Sequence, residues 1–575
     1  MNIPSTYEPQ AARRWGWMLL AFCALTLCCF LGETLFNTRG EPREAVVALS
    51  MIEKGNWVLP INNGVDMAYK PPFFHWLAAL CSLLTGGVTE YATRLPSALG
   101  LTAMALGTYA FYARRRGVML ALLTALLTLT NFEVHRAGVA CRVDMVLSCM
   151  MVLALFALYR WVERGMKGLP LLGILCLSGA FLSKGPVGLA LPCLVAAVFA
   201  WIRGKGFWRV TGKFVLTGPL ALLLPAVWYV AAYEQGGERF LHLVYEENVL
   251  RLLGKMTYES HVNPWPYNVM TVLTGFAPYT LLVLFSLFAL KWRKPSLCPT
   301  PSTWWTRLKE RIGRMDDVRL YSLLSFAIIF VFYCIPKSKR SVYLLPIYPF
   351  LAYFLAEYVM WLRHNHQRVI RWFNRLLATL ALLLTMAFSA VRAGLVPESI
   401  FGHGSHAAQN AAMLAALRDT PLDWLQVMAS AVPLLTVLAA WHWHKRMTAG
   451  MVGMVAGIFF ALDGVFQPLV LNVKSDKPQA EFIARLQPTG RIYSFRKDVV
   501  EGNPMHPFTI NYYLADRVVP FEAFRPEAGY LIVGNDEIDD FKQRHPLMKV
   551  RLVKDFEHRS CDDHKMLKLY YFSTR

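Results

Sequence analysis

Charge is what this chain has least of. Only 17% of its residues are Asp, Glu, Lys or Arg, against about 25% in a soluble domain. The shortage falls mainly on acids, with 38 acidic residues facing 59 basic ones and a net charge of +21. The 11 cysteines contain no CxxC spacing, which removes zinc-ribbon and thioredoxin-type chemistry. Cys23, Cys28, Cys29, Cys149, Cys176 and Cys193 sit inside apolar runs, where a thiol behaves as a small hydrophobe. Cys561 stands alone in the C-terminal tail, so no disulfide is expected within that tail. There is no sustained internal repeat, and no low-complexity segment beyond the loop at 295–303.

What is present is apolar sequence: 55% of residues are hydrophobic and the mean hydropathy is +0.36. Runs of about 20 apolar residues recur, which marks a polytopic membrane protein. The first, 15–35, follows Arg13 and Arg14 and is too long for a signal-peptide core, so it is expected to be retained. Further runs lie at 93–113, 117–135, 142–161, 169–183, 185–203, 213–233, 266–291, 319–335, 341–361, 371–392, 423–441 and 449–466. Alternate connections are strongly basic, at 114–116, 160–167, 203–213, 291–319, 363–375 and 442–446. A soluble chain this basic would suggest nucleic acid. Here the basic residues lie in short loops, which points to membrane topology and anionic headgroups instead. Placing those loops in the cytoplasm gives about thirteen crossings, a cytoplasmic N-terminus and an exported C-terminus.

The expected fold is mainly α, with a transmembrane domain over 1–470 and a small exported α/β domain over 471–575. In the tail, β-like runs at 491–495, 530–533, 550–553 and 567–572 alternate with helix-like stretches at 479–486, 508–514 and 536–544. The tail has no phosphate-loop glycine pattern, and structural support or partner docking is its expected role. The first exported loop, 37–92, is expected to hold two interfacial helices, at 41–54 with Pro42 near its start and at 70–87.

With this topology the exported face gathers polar groups that the positive-inside rule would keep off it. The first loop supplies Glu41, Arg43, Glu44, Asp66 and Lys70, and later connections add His135, Arg136, Arg142 and Asp144. A tight turn at Ser183-Lys184-Gly185 follows, then Glu247 and Arg251, then Lys337, Lys339, Arg340 and Tyr343. Each alone reads as a solvated loop charge or a snorkelling helix anchor. Together the Lys70 and Arg340 groups, with Lys337 or Lys339 in support, suggest recognition of a lipid-linked phosphate. Carboxylates beside such cations suggest group transfer from a phosphate leaving group, with the cations neutralising it and a carboxylate taking the acceptor's proton. A transporter or flippase of lipid-linked sugars would want similar charges. Such proteins more often carry inverted repeats and broken spans.

The sequence also resembles a family. Glu41-x-Arg43 with Met51 following, Gly55-x-Trp57, Lys70-Pro71-Pro72 with Trp76, and Arg94-Leu95-Pro96 are similar to the bacterial GT-C glycosyltransferases of the protein-mannosyltransferase type. That group includes the lipid A aminoarabinose transferases. The resemblance continues through Arg142-x-Asp144, Lys184-Gly185, Glu247 with Arg251, and Pro336-Lys-x-Lys339-Arg340-x-x-Tyr343, and covers most of 15–365. It implies an inner-membrane enzyme with a polyprenyl-phosphate sugar donor and inversion at the anomeric carbon. It also implies a cavity on the exported side and a lipid, glycan or protein acceptor.

Two departures matter. The family usually has Asp just before the Glu of the first motif, as the base, and here that position is Gly40. The aminoarabinose transferases hold a metal through an acid before the Lys and a His after the second-loop Glu, where this chain has Tyr69 and Asn248. No cofactor or metal ligand is therefore carried over, although the resemblance leaves a divalent metal open. Glu44 lies one helical turn from Gly40 on the same face, so it could bring a carboxylate to the vacated space. Glu41, which matches the motif, competes for that role. Glu44 could equally be an acid favoured at a helix N-terminus.

Overall fold

The computed structural model describes residues 8–250, 255, 262–289, 301–401, 407–497 and 507–574. Seven of the described helices are long and apolar enough to cross a membrane, or nine if each of two sharply bent pairs is one span. The chain is thus a multi-pass helical membrane protein, and the described residues do not confirm the expected count of about thirteen. Part of the difference is length. The runs at 169–183 and 185–203 fold as Leu171–Lys184 and Val187–Ile202, of 14 and 16 residues. At about 1.5 Å per residue, each falls short of a bilayer core about 30 Å thick. They pack as a close hairpin, since a Cβ on Gly188 would come within 2.6 Å of the Ala180 carbonyl.

Burial separates inner from outer helices. In Val143–Glu163, 78% of the apolar window is covered by the rest of the chain, but only 11% in Gln367–Arg392 and in Trp424–His442. An apolar helix left uncovered on most sides faces lipid, so these two lie at the periphery and Val143–Glu163 at the centre. The run expected at 213–233 is part of a longer helix, Phe207–Tyr245, continuing to Leu250. It kinks at Gly237 (φ 55°, ψ −147°), a backbone region that suits glycine. Residues 234–250, expected as loop, are therefore helical.

Val118–Leu129 and Phe132–Gly138 meet at 70°, and Tyr267–Gly275 and Tyr279–Ala289 at 95°. A broken helix frees backbone groups that lipid cannot satisfy, and here the two breaks satisfy one another. The Phe132 N–H donates to the Ala277 carbonyl at 3.0 Å, and the Thr130 and Tyr279 hydroxyls bond at 2.6 Å.

The first loop forms the helix Pro42–Lys54, stopped by Gly55 at φ 68°. A two-stranded ribbon follows, β1 (Ile61–Asn62) against β2 (Asp66–Met67), then the helix Phe73–Thr85. The latter has 13 residues, too few to cross.

In the tail, β3 (Ile492–Ser494), β4 (Val518–Pro520), β5 (Ala528–Gly534), β6 (Lys549–Arg559) and β7 (Met566–Ser573) form one sheet in the order β4-β3-β5-β7-β6. The β3–β4 and β3–β5 pairs are parallel and the others antiparallel. Helices Lys477–Leu486, Phe508–Tyr513 and Ile538–Arg544 match the expected stretches. Strand β4 and the helix Ala407–Asp419 were not anticipated.

This sheet unit is fastened to the first loop. Asp516 accepts from the Ser50 hydroxyl at 2.6 Å and the Asn63 N–H at 2.6 Å, and pairs with Lys54. Tyr513 donates to Glu90 at 2.6 Å and accepts from the Phe36 N–H at 3.1 Å.

Candidate active site

Pro42 at the first helical turn leaves Glu41 at the N-cap of Pro42–Lys54. Arg94, on the helix Glu90–Arg116, reaches it with two bonds, Nε to Oε2 at 2.8 Å and Nη2 to Oε1 at 3.1 Å. The Cys141 N–H also donates to Oε2, at 2.7 Å. Arg94 further holds the Leu31 and Thr34 carbonyls at 2.7 and 2.5 Å. Burial alone would raise the Glu41 carboxyl, but Arg94 and the Cys141 N–H hold it below its ordinary value. Both its oxygens are engaged in tying four segments together.

Glu44, on the next turn, is buried. Its Oε1 accepts from Arg43 at 2.6 and 3.2 Å, and its Oε2 meets His75 Nε2 at 3.0 Å. Burial pushes this carboxyl up, yet Arg43, Lys70 and His75 together hold it well below the carboxylate range. Glu44 is therefore held as a carboxylate, with the Arg43 and Lys70 charges beside it and His75 bonded to it.

The third carboxylate is Asp144, in the first turn of Val143–Glu163. Its Oδ1 pairs with Lys184, whose ammonium sits 4.1 Å from the centre of the Tyr343 ring. Arg142, Arg340 and Arg43 also lie in its field. The Arg142 guanidinium packs against Gly40: a Cβ there would stand 2.7 Å from Nη2 and 2.9 Å from Nη1. The space the family's acid would take is thus filled by a cation.

A cavity of about 190 Å³ opens beside this cluster, lined by Arg136, Arg142, Asn263, Tyr267, Lys339 and Arg340 among others. Arg136 bonds Glu133 at 2.7 Å and Ser341 at 3.3 Å. The segment before the turn Ser341–Ile347 is pinned to Asn263, whose N–H meets the Lys337 carbonyl at 3.3 Å. Asn263 Nδ2 meets the Lys339 carbonyl at 3.1 Å, and Lys339 Nζ returns a bond to the Asn263 carbonyl at 3.2 Å. Lys339 is buried by this exchange, and Lys337 is exposed.

Tyr69 donates to Glu247 at 3.4 Å, and the Asn248 side chain lies against Gly185, 2.7 Å from where a Cβ would be. The first-loop and second-loop motifs therefore meet beside Lys70 and Lys184. Tyr69 and Asn248 replace the two family metal ligands, and among the described residues no group of three His, Cys, Asp or Glu could hold a metal ion. Arg251 lies outside the described residues. His135, read with the exported polar groups, is buried in a pair with Asp463 at 2.6 Å.

Sequence reasoning gave no role to His75, Arg94 or Lys184. Arg94 and Lys184 each stand in a motif already noted. His75 follows Lys70-Pro71-Pro72 and carried no signal of its own.

A family model described as dolichyl-phosphate-mannose-protein mannosyltransferase matches residues 69–230. An uncharacterized protein of Aquifex aeolicus is 27% identical over 371 residues, 63% of this chain and 68% of that one. The undecaprenyl phosphate-alpha-4-amino-4-deoxy-L-arabinose arabinosyl transferase of Edwardsiella ictaluri is 27% identical over 409 residues, 68% of each chain. The crystal structure of ArnT from Cupriavidus metallidurans bound to undecaprenyl phosphate superposes with a TM-score of 0.68 at 18% identity, over 98% of both chains. The chain is thus similar in sequence to membrane glycosyltransferases of the aminoarabinose-transferase-like kind, and it shares the fold of the Cupriavidus structure.

Proposed function

We propose that this chain moves a sugar from a polyprenyl-phosphate donor to an acceptor on the exported face of the inner membrane. The observation that carries the reading is one constellation drawn from separate elements: Arg43, Glu44 and Lys70 from the first loop, with Asp144 and Lys184 from two helix ends. In the reaction an acceptor oxygen bonds to the anomeric carbon as the carbon–oxygen bond to the donor phosphate breaks. The polyprenyl phosphate leaves with the electron pair. Lys70 and Arg43 offset its charge, as preorganised cations do for a departing phosphate. Glu44 keeps both in place.

Glu41 and Glu44 are poor proton acceptors, because each is buried, ionised and bonded to cations. Asp144 is buried too, and Lys184 with Arg142 and Arg340 favours its charged form, but Lys184 engages its Oδ1 alone, so its Oδ2 is the carboxylate oxygen left to meet an acceptor hydroxyl. Tyr343, stacked on Lys184, fixes that ammonium, and Glu247 with Tyr69 closes the Lys70 side. The finer topology belongs to the same reading: about thirteen crossings, residues 471–575 as an exported domain, and its sheet as a brace for the loop.

The relatives named above include transferases and no transporter, so the flippase alternative has no support from them. The test is a transfer assay on the purified chain with radiolabelled polyprenyl-phosphate sugars and a panel of envelope acceptors. Release of polyprenyl phosphate with label appearing on an acceptor is the expected result. Movement of the intact donor across vesicles without hydrolysis would instead establish a flippase.

A further inference from the structure

Glu44 has two carboxylate oxygens to satisfy, and it satisfies them on different elements. Its Oε1 takes both Nε and Nη2 of Arg43, the residue before it on the helix Pro42–Lys54. Its Oε2 takes Nε2 of His75, in the first turn of the helix Phe73–Thr85, which follows Lys70-Pro71-Pro72. A carboxylate only accepts, so Nε2 carries the proton and donates it across this 3.0 Å contact. His75 is 3% exposed and Glu44 6%, so water can do little for either group.

The bond decides where the second oxygen of Glu44 goes. A buried charge that loses a hydrogen-bond partner turns to whatever cation it can reach, because an unmet oxygen is costly there. The cations in its field besides His75 are Arg43 and Lys70. Turning Oε2 onto Arg43 would make a two-pronged pair that occupies more of the guanidinium. Turning it towards Lys70 would neutralise the ammonium instead. Either movement spends a charge that the departing phosphate needs. With 36% of its side-chain surface exposed, Arg43 is within reach of a ligand while Glu44 holds one side of it.

We infer that His75 is a positioning residue of the donor site: by occupying Oε2 of Glu44 it leaves the charges of Arg43 and Lys70 to the donor phosphate. This rests on the transferase reading for what the ligand is. His75 acts through Glu44 and need not touch the donor. The same bond ties the helix that carries Arg43 to the helix that follows Lys70, so it also sets the spacing of the two cations.

The test is binding of undecaprenyl phosphate to the purified full chain in nanodiscs, followed by calorimetry, with melting temperature as the control. His75→Phe keeps a ring and removes the N–H, and affinity should fall about tenfold, the scale of one lost charge-assisted contact. His75→Gln brings an amide N–H near the place of Nε2 and should bind within about twofold of the native chain. His75→Asn carries the same amide one carbon short and should behave like His75→Phe, so the two amides carry the comparison even where the Phe variant does not fold. In a Glu44→Gln background, His75→Phe should cost less than about twofold more, because the charge it serves is gone. In a transfer assay the loss should fall on KM for the donor, with kcat at saturating donor within about twofold of native.

Native affinity in His75→Asn and His75→Phe, or a lower melting temperature with no change in affinity, would reduce His75 to a packing residue. Equal losses with and without the Glu44 carboxylate would show that it acts by another route and overturn the inference. Both of those failures leave the donor reading intact, since the native chain still binds its probe. A native chain that does not bind undecaprenyl phosphate at all would overturn both.

Discussion

At the scale of single residues, three carboxylates share one neighbourhood and only one, Asp144, has a side-chain oxygen with no bonded partner among the described residues. Asp144→Asn should lower turnover on a hydroxyl acceptor by about 10²–10⁴, the usual worth of a general base, with donor affinity little changed. Glu44→Gln should do the opposite, weakening donor binding through Arg43 and Lys70 and leaving turnover at saturation largely intact. Steady-state kinetics of the two variants side by side separate the roles, and equal losses of turnover in both would refute the division. Glu44 also sets an acid limit. Its folded value lies well below the unfolded one of about 4.3, so the stability it contributes is complete above that pH and is lost as pH falls through the depressed folded value. Melting temperatures in detergent should therefore show no Glu44-dependent change between pH 5 and 8. Below about pH 4 the native chain should lose stability that Glu44→Gln never had. Much of this neighbourhood was legible: Glu41, Arg43, Glu44, Lys70, Arg142 and Asp144 all fall within it. The assignment among them was not, because Arg94 and His75 decide which carboxylate is locked, and they reach it from 53 and 31 residues away.

At the scale of elements, punctuation was readable and distance was not. Pro42 and Gly55 bound the loop helix as expected, and alternation in the tail revealed four of its five strands. Strand β4 is only three residues long and its sequence, Val518-Val519-Pro520, ends on a proline, so no periodicity could mark it. The bends at Thr130 and Ala277 were hidden for a related reason: each run is apolar throughout, and hydropathy does not register a change of direction. Asp516 is the element-scale hub that no local pattern announces. Asp516→Ala would leave the Ser50 hydroxyl and the Asn63 N–H without their acceptor, a cost of about 1–3 kcal/mol. Limited proteolysis should then cut the first loop faster, with the sheet unit still folded. A loop as resistant as in the native chain would show that the fastening is redundant.

For the whole molecule, the charge pattern predicts the orientation. A reporter fused after the last residue should be active only on the exported side, and activity confined to the cytoplasm would reverse the topology. What hydropathy did not register was the length of individual helices. It counts apolar residues, and in the hairpin Leu171–Lys184 and Val187–Ile202 those residues serve a protein core as much as a bilayer.

The fastening of the tail to the first loop also has a consequence in time. Ser50 and Asp516 are separated by 466 residues. A ribosome adding roughly 5–20 residues per second takes about half a minute or more to cover that interval. Throughout it Lys54 and Asn63 wait without their partner, and the charged loop beside them has no brace. On the proposed reading, a nascent chain is expected to be inactive until its final segment has folded. A premature stop between Lys474 and Asp516 would yield a membrane protein with its preceding helices complete and its first loop without this brace.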